Sequence, residues 1–177
     1  MKEEKKKSSR SIDDSILNML LEDPTKSINE MSKELKLYRQ TIWRRKKKLE
    51  NDKVIWGYTA VIDENKLNHI IYLVLMKMQP MSKGMADTLI KRLSQKGPQK
   101  QKIRLIDEFH TNGEFDLIIR FAAPNYATAR KYYDTLRLIY KDYLIEKPVI
   151  VDVNFILMAE GKMNPEIQEL HEFVPSI

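Results

Sequence analysis

The 177-residue chain contains no cysteine. Disulfides, thiolate metal centres and cysteine nucleophiles are excluded, and the composition fits a reducing compartment. Glycine occurs five times and never as a phosphate-cradling loop. The three histidines, His69, His110 and His171, are scattered, and His171-Glu172 lacks the second histidine of a zinc helix. His110, Glu114 and Asp116 flank one turn, where an ordinary polar hairpin is preferred over a metal site. No catalytic residue, metal or cofactor is assigned. Long apolar runs are missing as well: the longest, Ile70 to Met76, is far short of the roughly 20 residues of a membrane span. The opening MKEEKKKSSRS has no apolar core, so no signal peptide and a cytoplasmic location are expected.

What the chain does have is positive charge, unevenly placed. The net charge is +6. Residues 1–60 hold 15 Lys+Arg against 10 Asp+Glu, while residues 61–177 hold 16 against 15. A polyanionic partner should therefore bind the first third.

Residues 1–10 read as a disordered basic arm. A first helix spans about Ser11 to Glu22, with Ser11 as N-cap and Ile12, Ile16, Met19 and Leu20 on its buried face. Asp23-Pro24 stops it. A second helix starts at Ser27, where Ser27 and Glu30 have capping-box spacing. Lys36-Leu37 is a turn, and a third helix follows from about Tyr38 to Asn51. On a helical wheel Ile42, Lys46 and Leu49 face inward; Gln40, Thr41, Arg44, Lys47 and Lys48 spread over the outer side. Between Tyr38 and Glu50 six basic residues stand against one acid. Uncompensated, they destabilise a helix unless a polyanion neutralises them. The competing reading is a solvated basic face; two capped, tightly spaced helices upstream favour a recognition helix in a major groove. Arg44, Gln40 and Lys48 are assigned to bases or phosphates and Arg45 and Arg39 to the backbone. Thr41, Lys47 and Ser27 complete the candidate set.

Val54 to Ile62 is β-prone, interrupted by Gly57, and reads as a linker strand with a bend. From there the pattern is strand (70–78), helix (81–93), loop (96–102), strand (103–110), strand (115–121), helix (124–142) and strand (149–158). Asn112-Gly113 is a hairpin signal. The helix over 124–142 should bury Tyr126, Ala129, Tyr133, Leu136 and Tyr140. The class is α+β: an N-terminal three-helix, winged-type helix-turn-helix joined to a ferredoxin-like βαββαβ domain. Its expected divisions are an arm (1–10), the helix-turn-helix (11–54), a linker strand or hinge (55–66), the βαββαβ effector and dimerisation domain (67–158) and a tail (159–177). Both faces of the 70–76 strand are apolar, yet helices cover one sheet face only. The other should pack on a second copy, and a two-fold dimer presents two recognition helices to a palindromic duplex.

The succession IDDSILNMLLED, INEMSKELKLYRQTIWRRKKKLE, VIWGYTAVID and NGEFD resembles the Lrp/AsnC (leucine-responsive, or feast/famine) transcription regulators over about residues 11–158. The resemblance implies a RAM-type effector domain and a homodimer that often assembles further, to an octamer for example. It also implies DNA binding through the third helix and an amino acid or similar small effector near the hairpin loop. By motif, Thr41, Arg44 and Arg45 match the family's recognition helix. Thr111, Asn112, Gly113, Glu114 and Asp116 match its effector loop. Lys46 stands where an apolar residue is usual, Tyr38 where a small N-cap is usual, and Phe115 where Tyr is common.

Three other readings compete with this one. An enzyme of this architecture, such as a siroheme-decarboxylase-like protein, has no need of a basic third helix. A ligand-independent architectural DNA-binding protein would lack the effector. RNA binding on the sheet needs exposed aromatics on central strands, where Ile103, Leu105, Leu117 and Ile119 stand instead.

Overall fold

The computed structural model describes residues 2–95 and 102–175, with side chains from residue 11 onward. The described chain divides into two compact units, Met1–Val61 with Glu160–Lys162, and Ile62–Ala159 with Met163–Ile177.

The first unit is built on three helices: α1 (Lys2–Glu22), α2 (Ile28–Leu35) and α3 (Arg39–Asn51). The helix expected from Ser11 already begins at Lys2. The reason lies in residues 2–10, which contain no Gly or Pro and are mostly Lys, Glu and Ser, so nothing interrupts propagation from the packed part. Ser11 therefore sits inside the helix, where its carbonyl accepts a bond from Ser15 Oγ at 2.8 Å, and is not an N-cap. Ile16, Leu20, Met31, Ile42 and Leu49 form the core, with Ile12, Met19, Ile28, Leu35, Leu37 and Ile55 packed around it. The expected capping box opens α2: Glu30 N–H donates to Ser27 Oγ (3.2 Å) and Ser27 N–H to Glu30 Oε2 (2.7 Å). The turn into α3 is closed by Lys36 in the left-handed region (φ 53°) and by Ser32 Oγ donating to the Leu37 carbonyl at 2.6 Å.

Residues 54–63 contain no strand, contrary to the linker strand expected there. A strand exists only with a hydrogen-bonded neighbour, and this stretch has none among the described residues of its own chain.

The second unit has four antiparallel strands, β1 (Ile70–Met76), β2 (Arg104–His110), β3 (Leu117–Ala123) and β4 (Val149–Asp152), in the order β2-β3-β1-β4. With α4 (Lys83–Ser94) and α5 (Tyr126–Ile139) this is the expected βαββαβ unit. The helices lie on one face, burying Tyr72, Val74, Met76, Met85, Ile119, Phe121, Ala129, Tyr133, Leu136 and Tyr140. Tyr126, expected in that core, is 64% exposed. It opens the helix immediately after the N-cap Asn125, and Tyr132 is buried in addition.

Two strand details depart from simple alternation. A register shift between Leu105 and Asp107 sets Asp107 opposite Arg120 and Glu108 opposite Ile119. Glu108 thus turns to the helix side and Phe109 to the other, because one extra residue reverses every side chain beyond it. The last strand ends at Asp152, well before the expected Met158. Beyond it, β5 (Met158–Ala159) and β6 (Lys162–Met163) form a two-stranded sheet. Both residues between them, Glu160 and Gly161, have positive φ (48° and 73°). Asn112 and Gly113 do not, so the two-residue turn signalled by Asn-Gly is not formed there. A short 3-10 stretch, Ile167–Phe173, closes the chain's described end. The expected loop at 96–102 lies, except for Lys102, outside the described residues.

Candidate nucleic-acid interface

The outer side of α3 is the first candidate site. Its inner side is fixed by Ile42, fully buried, and Leu49, 7% exposed. With 100° between residues this turns Gln40, Arg44 and Lys47 away from the core, with Lys48 on one flank and Trp43 on the other. All five are exposed, as is Arg39 at the helix start, while Thr41 is half-buried. The helix begins at Tyr38 without a side-chain cap, since phenol cannot reach back to the first-turn amides.

The six basic residues fall into two groups. Three have intramolecular partners. Arg45 Nη1 donates to both carboxylate oxygens of Asp13 at 3.2 Å, tying α3 to α1. Lys47 Nζ lies 2.8 Å from Glu50 Oε2. Lys46, the anomalous inward position, extends its ammonium over the Tyr58 ring at 4.8 Å from the centroid. A long stem can leave an apolar face in this way and end on an aromatic surface. The hydrogen bond from Lys47 holds the Glu50 carboxyl below the usual range, against the opposing effect of burial, and Tyr58 Oη assists by donating at 3.1 Å. The other three, Arg39, Arg44 and Lys48, have no ion pair or hydrogen bond among the described residues. Two of the six cations are thus matched by carboxylates and a third rests on a ring, while Arg44 and Lys48 stand on the outer side and Arg39 at the helix start.

Arg45, expected at phosphate, is engaged between helices instead. Asp13 gave no signal for this in sequence beyond its place in the first expected turn. Ser27, also in the candidate set, commits its hydroxyl to capping α2. Glu50 and Tyr58 were missed; they brace the end of α3 through a bond eight residues long, which no short motif announces.

The second candidate site is the 111–116 loop in the other unit. Thr111 and Asp116 build it. Thr111 N–H donates to the Asp116 carbonyl (2.9 Å), Thr111 Oγ1 to the Phe115 carbonyl (2.5 Å), and Met78 N–H to Asp116 Oδ2 (2.7 Å). Asn112, Gly113 and Glu114 are left exposed. Lys77 lies 3.4 Å from Glu114 and 3.1 Å from Glu146, and these carboxylates, Glu146 first, raise the Lys77 ammonium above its ordinary range. Among the described residues no cluster of three or more His, Asp or Glu could hold a metal ion. None of the described helices is long and apolar enough to cross a membrane.

Residues 10–55 match the winged helix-turn-helix DNA-binding family. Similar solved structures cover nearly the whole of their own length. An AsnC family transcriptional regulator from Agrobacterium tumefaciens is 22% identical with a TM-score of 0.61, covering 88% of this chain and 96% of that one. The chain has the Lrp/AsnC fold. The leucine response regulatory protein LrpA of Mycobacterium tuberculosis is 15% identical (TM-score 0.67; 87% and 98% covered). LrpC of B. subtilis is 17% identical (TM-score 0.60; 83% and 95% covered). No curated protein matches the sequence. At these identities the likeness to an Lrp/AsnC-type chain is one of architecture, and the recognition surface must be read from this chain's own side chains.

Proposed function

We propose that the protein is a sequence-specific, double-stranded-DNA-binding transcription regulator and not an enzyme. The observation that carries this is the split of charge on α3: Arg45 and Lys46 are engaged within the unit, Lys47 holds an exposed ion pair to Glu50 that a phosphate can replace, and Arg39, Arg44 and Lys48 are exposed with no ion pair or hydrogen bond among the described residues. Gln40, Arg44, Lys47 and Lys48 enter the major groove; Arg39 meets the backbone at the helix start, and Thr41 lies at the edge of the surface.

The partner expected for the helix-free sheet face is a second copy. This face carries Leu73, Leu75, Phe109, Ile118, Val149 and Val151, and Phe109 is 51% exposed. A two-fold dimer formed there would present two α3 helices to a palindromic operator. An amino acid or other small polar effector is assigned to Asn112, Gly113 and Glu114, displayed by a loop whose two ends are hydrogen-bonded in place. Its binding would act on assembly into higher oligomers.

Selection of duplexes from random DNA, followed by titration at several salt concentrations, tests the reading. With about four phosphates neutralised per subunit, the slope of log K against log salt is expected near −7 for a dimer. A flat salt response or no enriched duplex rejects it. A thermal-shift screen with amino acids tests the effector separately, and no shift with any of them assigns regulation without a ligand.

A further inference from the structure

Trp56 is 93% exposed. An indole is among the largest apolar surfaces a side chain can show to water, and here its setting is built rather than loose. On one side, Val54 and Ile55 N–H both donate to the Leu49 carbonyl, at 2.9 and 3.1 Å, and the Ile55 side chain packs on the helical core. On the other, Tyr58 is held to α3 by its bond to Glu50 and by Lys46 over its ring. Burial and the Glu50 carboxylate raise the Tyr58 phenol to about 12, so the bond persists across neutral pH. Two anchors, at Val54–Ile55 and at Tyr58, therefore fix the segment to the recognition helix and leave the indole between them open to water. At Gly57, next in sequence, an added Cβ would meet nothing within 4 Å, so the backbone beside the indole is bare.

We infer that Trp56 is a DNA-contacting residue, its indole lying on the sugar and base edges of the duplex beside the groove that α3 enters. The inference rests on the DNA-binding reading above and adds an apolar, uncharged contact to a surface otherwise made of cations. Continuity with that surface favours DNA as the occupant: Trp56 lies between Ile55, bonded to the Leu49 carbonyl of α3, and Tyr58, bonded to the Glu50 that also holds the outward-facing Lys47. An aromatic side chain packs on deoxyribose and on base edges without needing a matching donor or acceptor.

The test is Trp56→Ala in the full-length protein, titrated with a selected duplex across salt concentrations. Affinity should fall about tenfold, as expected for exposing roughly 50 Å² of apolar contact, with the slope of log K against log salt unchanged because no phosphate contact is removed. Melting temperature and sedimentation mass should stay as in the parent, and Trp56→Phe should recover part of the loss. In a Trp43→Phe background, the remaining indole emission should change on adding duplex. Unchanged affinity and emission overturn the inference. A change in sedimentation mass, with DNA affinity restored at protein concentrations that saturate the oligomer, overturns it too and assigns the indole to a contact between copies. If the parent protein enriches no duplex at all, the DNA reading itself fails, and Trp56 with it.

Discussion

The two units treat their cations in opposite ways. In the sheet unit the arginines are matched. Arg92 is buried among Glu108, Tyr132 and Tyr140, its Nε 2.6 Å from Tyr140 Oη and its Nη1 3.0 Å from Tyr132 Oη. Arg104 pairs with the buried Glu64, Arg120 with Asp107 at 2.6 Å, and Arg130 and Arg137 with Asp134. In the helical unit only part of the charge on α3 is matched. Removing a charge from water is costly unless a counter-charge accompanies it, so burial enforces the pairing of Arg92 with Glu108, whereas Arg104, Arg130 and Arg137 pair with their own side chains partly in water. A cation left unmatched on a rigid helix keeps its hydration and can exchange it for phosphate. The difference separates charges that hold the fold from charges available to a partner, although both are equally basic in sequence.

The largest effect should come from the matched side. Arg92→Ala leaves Glu108, only 8% exposed in its side chain, as an uncompensated buried charge. The expected cost is about 3 kcal/mol of stability, read from chemical denaturation of the sheet unit. Burial opposes the charge on Arg92, yet Glu108 more than offsets this and raises the guanidinium above its ordinary range.

The same cluster makes a prediction in pH. Burial raises both Tyr132 and Tyr140 to about 12, against the lowering effect of Arg92. Because the folded state holds these protons more tightly than the unfolded state, their contribution is complete below about pH 10. It is lost as pH rises from about 10 towards 12. Melting temperature measured across that window should fall, and Tyr132→Phe should flatten the fall.

On the unmatched side, Arg44→Ala should weaken operator binding by roughly tenfold or more and reduce the dimer's salt slope by about 2, with melting unchanged. Arg45→Ala should do the reverse. It removes the bond to Asp13, costs up to about 1 kcal/mol of stability in the helical unit, and leaves the salt slope as it was. A loss of salt slope in Arg45→Ala would erase the distinction between the two groups. The smallest effect is at the turn: Lys36→Gly, at φ 53°, should stabilise by roughly 0.5 kcal/mol, read as a small rise in denaturation midpoint, because glycine tolerates that conformation.

Much of the architecture was legible because it is local. The capping box at Ser27 and Glu30, the 3.6-residue spacing of Ile42 and Leu49, and the order of the βαββαβ elements follow from patterns within a few residues. The start of α1 was misplaced because a charged, Lys- and Glu-rich segment is compatible with either disorder or helix propagation. The one-residue bulge in β2 was not visible, since Ile103, Leu105 and Phe109 alternate as a single apolar face and nothing local marks the break at Ile106. Of the candidate interface, the outward residues of α3 were readable from the wheel, whereas Arg45 and Lys46 were not. Their partners, Asp13 and Tyr58, are brought to them by packing between elements.

The sequence by itself determined that a basic helix would follow a capped helix and a tight turn, because periodicity and capping act over one or two helical turns. Only the tertiary structure decided which of that helix's charges remain available. Ion pairs and cation–ring contacts depend on distances between elements far apart in the chain. Arg45 is spent on Asp13 and Lys46 rests on Tyr58. Among the described residues, Arg39, Arg44 and Lys48 are left for another molecule, beside the exposed Gln40, Lys47 and the indole of Trp56.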